Sequence, residues 1–100
     1  MKAKIFNAYK EDVCELFDVT EEELFTKSKL RDVVDARHLL YYLCKTRPMR
    51  IVYIKERMAL NNYKIAHTSI IHGIKMVEKK LSTDKDYIKS INKIRNKCTL

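Results

Sequence analysis

Apolar residues return every three or four positions along most of this chain, the period of a helix that buries one side. Ile5, Phe6, Tyr9, Val13, Leu16 and Phe17 follow that spacing and predict a first helix ending near Asp18 and Val19. In VTEEELF, Thr20 can cap a second, short helix while Glu23 returns the capping-box bond, and Glu21 and Glu22 suit the positive end of its dipole. The link TKSKLRDVVD is basic at its start and carries no strong period. Asp32 or Asp35 can then cap ARHLLYYLCKTR, where Leu39, Leu40 and Leu43 share one arc while Arg37, Tyr41 and Lys45 recur every four residues on another. One face of that helix is expected to pack and the other to be cationic. Pro48 suits the first turn of PMRIVYIKERMAL, a fourth helix with Ile51, Ile54 and Met58 inward, broken by Asn61 and Asn62.

The next stretch, NNYKIAHTSIIHGIKM, passes from a polar turn into an Ile-rich helix headed by His67, Thr68 and Ser69. On a helical wheel Ile71, Ile74, Val77 and Leu81 fall within about a hundred degrees of Ile70, and Thr68, His72, Lys75 and Lys79 gather opposite. The helix over 66–81 therefore has a packed back and a polar front. Gly73 sits at the edge of the packed side, where a missing methyl admits a close neighbour. The last helix, TDKDYIKSINKIRNK, takes Thr83 or Asp84 as its cap and turns Tyr87, Ile88, Ile91 and Ile94 inward. The pattern as a whole predicts an all-α fold in one domain over residues 1–100.

Composition sharpens this picture. One Gly and one Pro in 100 residues leave little punctuation for a sheet protein, and 46% apolar residues argue against disorder. The net charge of +8 is unevenly spread: residues 1–24 hold three Lys against seven acids, about −4, and residues 25–100 hold eighteen Lys or Arg against six, about +12. Such asymmetry suits a polyanion, most commonly nucleic acid, with a solvated Lys-rich surface as the plainer alternative. Cys14, Cys44 and Cys98 are odd in number and lack a C-x-x-C pair, so neither a disulfide framework nor zinc is indicated and a reducing, cytoplasmic setting is expected. The sequence shows no signal-peptide pattern and no run of eighteen apolar residues, so no membrane partner is expected. His67 and His72 are five apart, which does not place two metal ligands on one helical face, and Cys44 lies on the leucine side as a small core residue. No cofactor, nucleotide or catalytic group is indicated, and Tyr41, Tyr42 and Tyr53 read as core rather than as base-stacking platforms. Lys93, Arg95 and Lys97 read as a solvated, cationic end.

A short helix, a turn and a longer helix with a polar front is the helix-turn-helix arrangement, whose second helix enters the major groove and meets base edges with its first turn. Hydroxyls at that turn can donate or accept at a base edge, a Thr methyl can meet thymine, and a helix N-terminus favours phosphate. The segment AHTSIIHGIKMVEKKL, preceded by VCELFDVTEEELFTKSKLRDVVDARHLLYYLCK, resembles the C-terminal DNA-binding domain of the bacterial replication initiator DnaA over roughly residues 10–97. Three features carry the resemblance: an opening like V-C-x-x-[FY]-x-[IV]-x-x-x-[ED]-[LI], a basic loop leading to a helix with Arg and a polar residue, and the start of a signature Asp-His-[ST]-[ST]-[VI].

The resemblance implies a compact helical bundle around a Trp-repressor-like helix-turn-helix that binds double-stranded DNA. It puts His67, Thr68 and Ser69 at bases, Lys29 in the minor groove, and Arg37, His38 and Lys45 along the preceding long helix; Lys75, on the polar front given by spacing, joins them as a DNA-binding candidate. The departures are specific. Ala66 stands where the family has Asp, Ile65 where it has Arg, and Tyr63 and Lys64 replace a Gly-Gly turn, so an altered or relaxed sequence preference is expected. No G-x-x-x-x-G-K-[ST] loop occurs, and Met1 precedes the first predicted helix closely, so origin melting is not expected of this chain alone. Two roles fit. One is a nucleoid-associated regulator of replication or transcription, for which a phage or mobile-element origin suits so compact a chain. The other is an interaction domain for another replication, transcription or virion protein that kept the scaffold and lost the readout.

Overall fold

The computed structural model describes residues 2–97, with side chains through Ile94. Among these the elements run α1 (Lys2–Phe17), α2 (Glu21–Leu24), α3 (Arg31–Lys45), α4 (Ile51–Leu60), α5 (His67–Thr83) and α6 (Lys85–Lys97), all helical. Helix α3 is the hub: α1 packs against it, α5 crosses it, and α2 and α4 close its flanks, while α6 lies on α5. The stripe expected on the first helix is buried through Phe6, Tyr9 and Val13, which meet Leu39, Leu40 and Leu43 of α3 in one core with Ile54, Met58, Ile70 and Ile91. Leu16, placed on that stripe by spacing, is exposed at its end.

The ends of the helices follow local chemistry. Asp18 adopts φ 54° just past α1, and the Val19 amide donates back to the Cys14 carbonyl at 3.0 Å, the left-handed stop expected of a helix C-terminus. The Thr20–Glu23 capping box is present in both directions, at 3.0 and 3.1 Å. Asp84 caps α6, its Oδ1 accepting from the Asp86 and Tyr87 amides at 3.0 and 3.1 Å.

Two starts differ from the sequence expectation. Helix α3 begins at Arg31 rather than after Asp32 or Asp35, with Leu30 as an N-cap that lacks any side-chain bond. With Val33 buried, the helix starts before either expected cap, and Asp35 becomes an ion-pair partner of Lys80 at 3.0 Å instead of a cap. Helix α4 begins at Ile51, not at Pro48. Met49 is buried and its amide closes α3 by donating to the Cys44 carbonyl at 2.9 Å, so that stretch is committed to the preceding helix.

Candidate nucleic-acid interface

Helix α4, the turn 61–66 and α5 form the helix-turn-helix. Asn62 takes φ 64°, and the Tyr63 amide donates to the Met58 carbonyl at 3.0 Å, which ends α4 in the left-handed manner that glycine would otherwise supply. Asn61 adds a bond from its side-chain amide to the Arg57 carbonyl at 2.9 Å. A turn without glycine is therefore built from asparagine, which like Asp18 after α1 tolerates the left-handed region.

Ala66 is the N-cap of α5 and offers no side-chain acceptor to the first turn. His67, Thr68 and Ser69 are exposed, and among the described residues their side chains make no hydrogen bond to protein. The mouth of the helix thus carries two hydroxyls and an imidazole without protein hydrogen bonds and a first turn that no side chain caps, the Ser69 amide donating to the Ala66 carbonyl at 3.1 Å. Further along, His72, Lys75 and Lys79 are exposed while Ile70, Gly73 and Val77 are buried, as the wheel requires. Ile71 departs from it at 37% exposure, so the packed arc is narrower than the apolar one.

Between this mouth and α3 lies a cleft of about 310 Å³ lined by Arg37, His38, Tyr41, Tyr63, Ile65, Thr68, Ser69 and His72. It unites four residues that the resemblance selects: Arg37, His38, Thr68 and Ser69. The His38 and His72 rings meet edge to face with centroids 5.8 Å apart. Burial lowers the His38 pKa, helped by His72 and Lys80 and opposed by Asp35. A Cβ on Gly73 would lie 2.8 Å from ring atoms of both His38 and Tyr41, so the closeness of α3 and α5 depends on that missing methyl.

The cationic stripe expected on α3 does not form. Arg37 is only 6% exposed and Tyr41 is buried, leaving Lys45 as the exposed member. Arg37 turns inward because the basic loop wraps it: its guanidinium donates to the carbonyls of Leu24 at 3.2 Å, Ser28 at 2.8 Å and Thr26. The Tyr63 ring covers it from the other side, 4.8 Å from centroid to Cζ. Spacing alone reads Arg37, Tyr41 and Lys45, four residues apart, as surface, and it misses a guanidinium whose donors are satisfied by carbonyls 9 to 13 residues upstream, at the end of α2 and in the loop after it.

Lys27 and Lys29 stand exposed on that loop. Lys55 and Lys64 flank Ala66 beside another cleft with Ala59 and Ile65, a pair that the sequence reading did not select. Lys64 could have been found by its place two residues before the mouth, whereas Lys55 comes into range only through the packing of α4 on α5. Arg95 and Lys97, the other cations named from the sequence, lie outside the described side chains. Among the described residues no group of three or more His, Cys, Asp or Glu could hold a metal ion, and no helix is long and apolar enough to cross a membrane. Cys44 is buried in the core and its thiol pKa is pushed up by that burial.

Residues 8–77 match the family described as bacterial DnaA protein helix-turn-helix. The chain is also similar to the chromosomal replication initiator protein DnaA of Spiroplasma citri, with 29% identity over 91 residues that cover 88% of this chain and 19% of that protein. It therefore spans about a fifth of the relative's length. With helices α4 and α5 joined by a short turn and a match over 70 of 100 residues, this chain belongs to the bacterial DnaA helix-turn-helix family.

Proposed function

We propose that residues 1–100 act as one domain that binds double-stranded DNA, with α5 lying in the major groove and its first turn facing base edges. The observation that carries the reading is the state of that turn: His67, Thr68 and Ser69 are exposed, with side chains that make no hydrogen bond to the described residues, at a helix end without a side-chain cap. His67, Thr68 and Ser69 read bases, and Lys29, Lys45 and Lys75 neutralise phosphates, with Lys27, Lys55 and Lys64 adding to the positive surface. His38 supports the turn from across the cleft, and Arg37, being buried, acts on the interface only through what it holds. The domain serves a regulator of replication or transcription rather than an enzyme.

Fluorescence anisotropy with a duplex carrying the initiator family's box and with a scrambled duplex, each at two salt concentrations, tests the reading. Affinity should fall with salt at a slope of about −0.9 per phosphate neutralised. Lys45→Ala should weaken both duplexes alike, whereas Thr68→Ala should change the ratio between them. Flat curves for both duplexes would reject DNA binding and leave the scaffold as a protein-interaction domain, the second role that Ala66 and Ile65 in place of the family's Asp and Arg favour.

A further inference from the structure

The two segments offered to DNA come from distant parts of the chain. Lys27 and Lys29 ride on the loop between α2 and α3, and Thr68 and Ser69 open α5. A single buried group touches the supports of both. The Arg37 guanidinium takes the loop through the carbonyls of Leu24, Thr26 and Ser28, and it takes the turn through the face of Tyr63. Tyr63 is itself seated: its amide closes α4 on Met58 at 3.0 Å, after Asn62 in the left-handed region, three residues before the α5 N-cap. Three carbonyls and one aromatic face leave the fork no other orientation, because a guanidinium is planar and its donors are fixed.

We infer that the Arg37–Tyr63 stack is a positioning device that holds the basic loop and the mouth of α5 at one separation, so that both engage the same duplex. Its purpose rests on the DNA-binding reading above, but its mechanics do not. Where a small, flexible pair of glycines would let the turn move independently of the loop, an aromatic ring against a buried cation ties them. Neither Arg37 nor Tyr63 needs to touch DNA for this; each acts through Lys29 on one side and Thr68 on the other.

The test uses Tyr63→Leu, which keeps bulk and removes the ring, beside Tyr63→Phe, which keeps the ring. In the parent, Lys29→Ala should lower the salt slope of duplex binding by about 1. In the Tyr63→Leu background the same change should alter the slope by close to zero, because the loop is no longer presented, and in Tyr63→Phe the full effect should return. A full slope change in Tyr63→Leu overturns the inference. Amide hydrogen exchange without DNA separates its failure from that of the DNA reading. Tyr63→Leu should speed exchange at Thr26 and Leu30, bonded to the Glu23 carbonyl and Ser28 Oγ, and leave the α1 core amides unchanged. Should that variant fold poorly, Arg37→Lys, which keeps charge but loses the fork, should speed the same two amides. Unchanged exchange at Thr26 and Leu30 in both variants also overturns the inference, whether or not the parent binds DNA.

Discussion

Gly73 marks where two helices come closest. Gly73→Ala gains about 1 kcal/mol of helix propensity but forces a methyl against His38 and Tyr41, an overpacking that costs about 1–3 kcal/mol. Tyr41 is buried and cannot swing aside, so a net loss of about 1 kcal/mol is expected, read as a lower urea midpoint with an unchanged m-value. A stabilised variant would mean that both rings yield freely. His38 sets a second expectation. Its folded pKa lies below the ordinary 6.5, chiefly through burial, so the unfolded chain binds the proton more readily. Its contribution to stability is therefore present above that ordinary value and lost as pH falls from there through the folded pKa. His38→Gln should flatten the dependence of stability on pH in that window, and an unaltered slope would assign the dependence to other groups.

Among the elements, helix ends separate what the sequence discloses from what it hides. Thr20 and Glu23 sit at the spacing that lets each satisfy the other's amide, and Asp84 precedes a helix whose third amide it accepts from; both are local, and both are legible. The starts of α3 and α4 are decided instead by which side chain finds the core, Val33 and Met49, and no local rule reports that. The same contrast divides the site. Thr68 and Lys75 face outward because periodicity turns them there, His67 is open because it is the first residue of α5 although the wheel sets it among the isoleucines, and Arg37 is drawn inward by carbonyls that no helical wheel contains. Caps give direct tests. Thr20→Ala should cost about 1 kcal/mol, and Ala66→Asp should add about 1 kcal/mol by supplying the acceptor that the first turn of α5 lacks. Thermal melts followed by circular dichroism measure both, and no gain from Ala66→Asp would show that water already satisfies those amides at no disadvantage.

At the scale of the molecule, a chain of +8 owes its balance to an acidic first quarter, with Glu11, Glu15 and Glu21 to Glu23 exposed on α1 and α2. Lys10 pairs with Glu21 at 2.7 Å and fastens those helices to each other, while Asp35 and Lys80 join α3 to α5. Lys27, Lys29, Lys45, Lys64, Lys75 and Lys79 stand exposed, and on the proposed reading association with duplex DNA should slow sharply as salt rises. The bare opening of α5 has a thermodynamic corollary. An acceptor arriving from outside completes a rod that the polypeptide leaves unfinished, so occupancy and heat resistance should climb together, by about 2.7 kcal/mol when the visitor stands at a hundred times its dissociation constant.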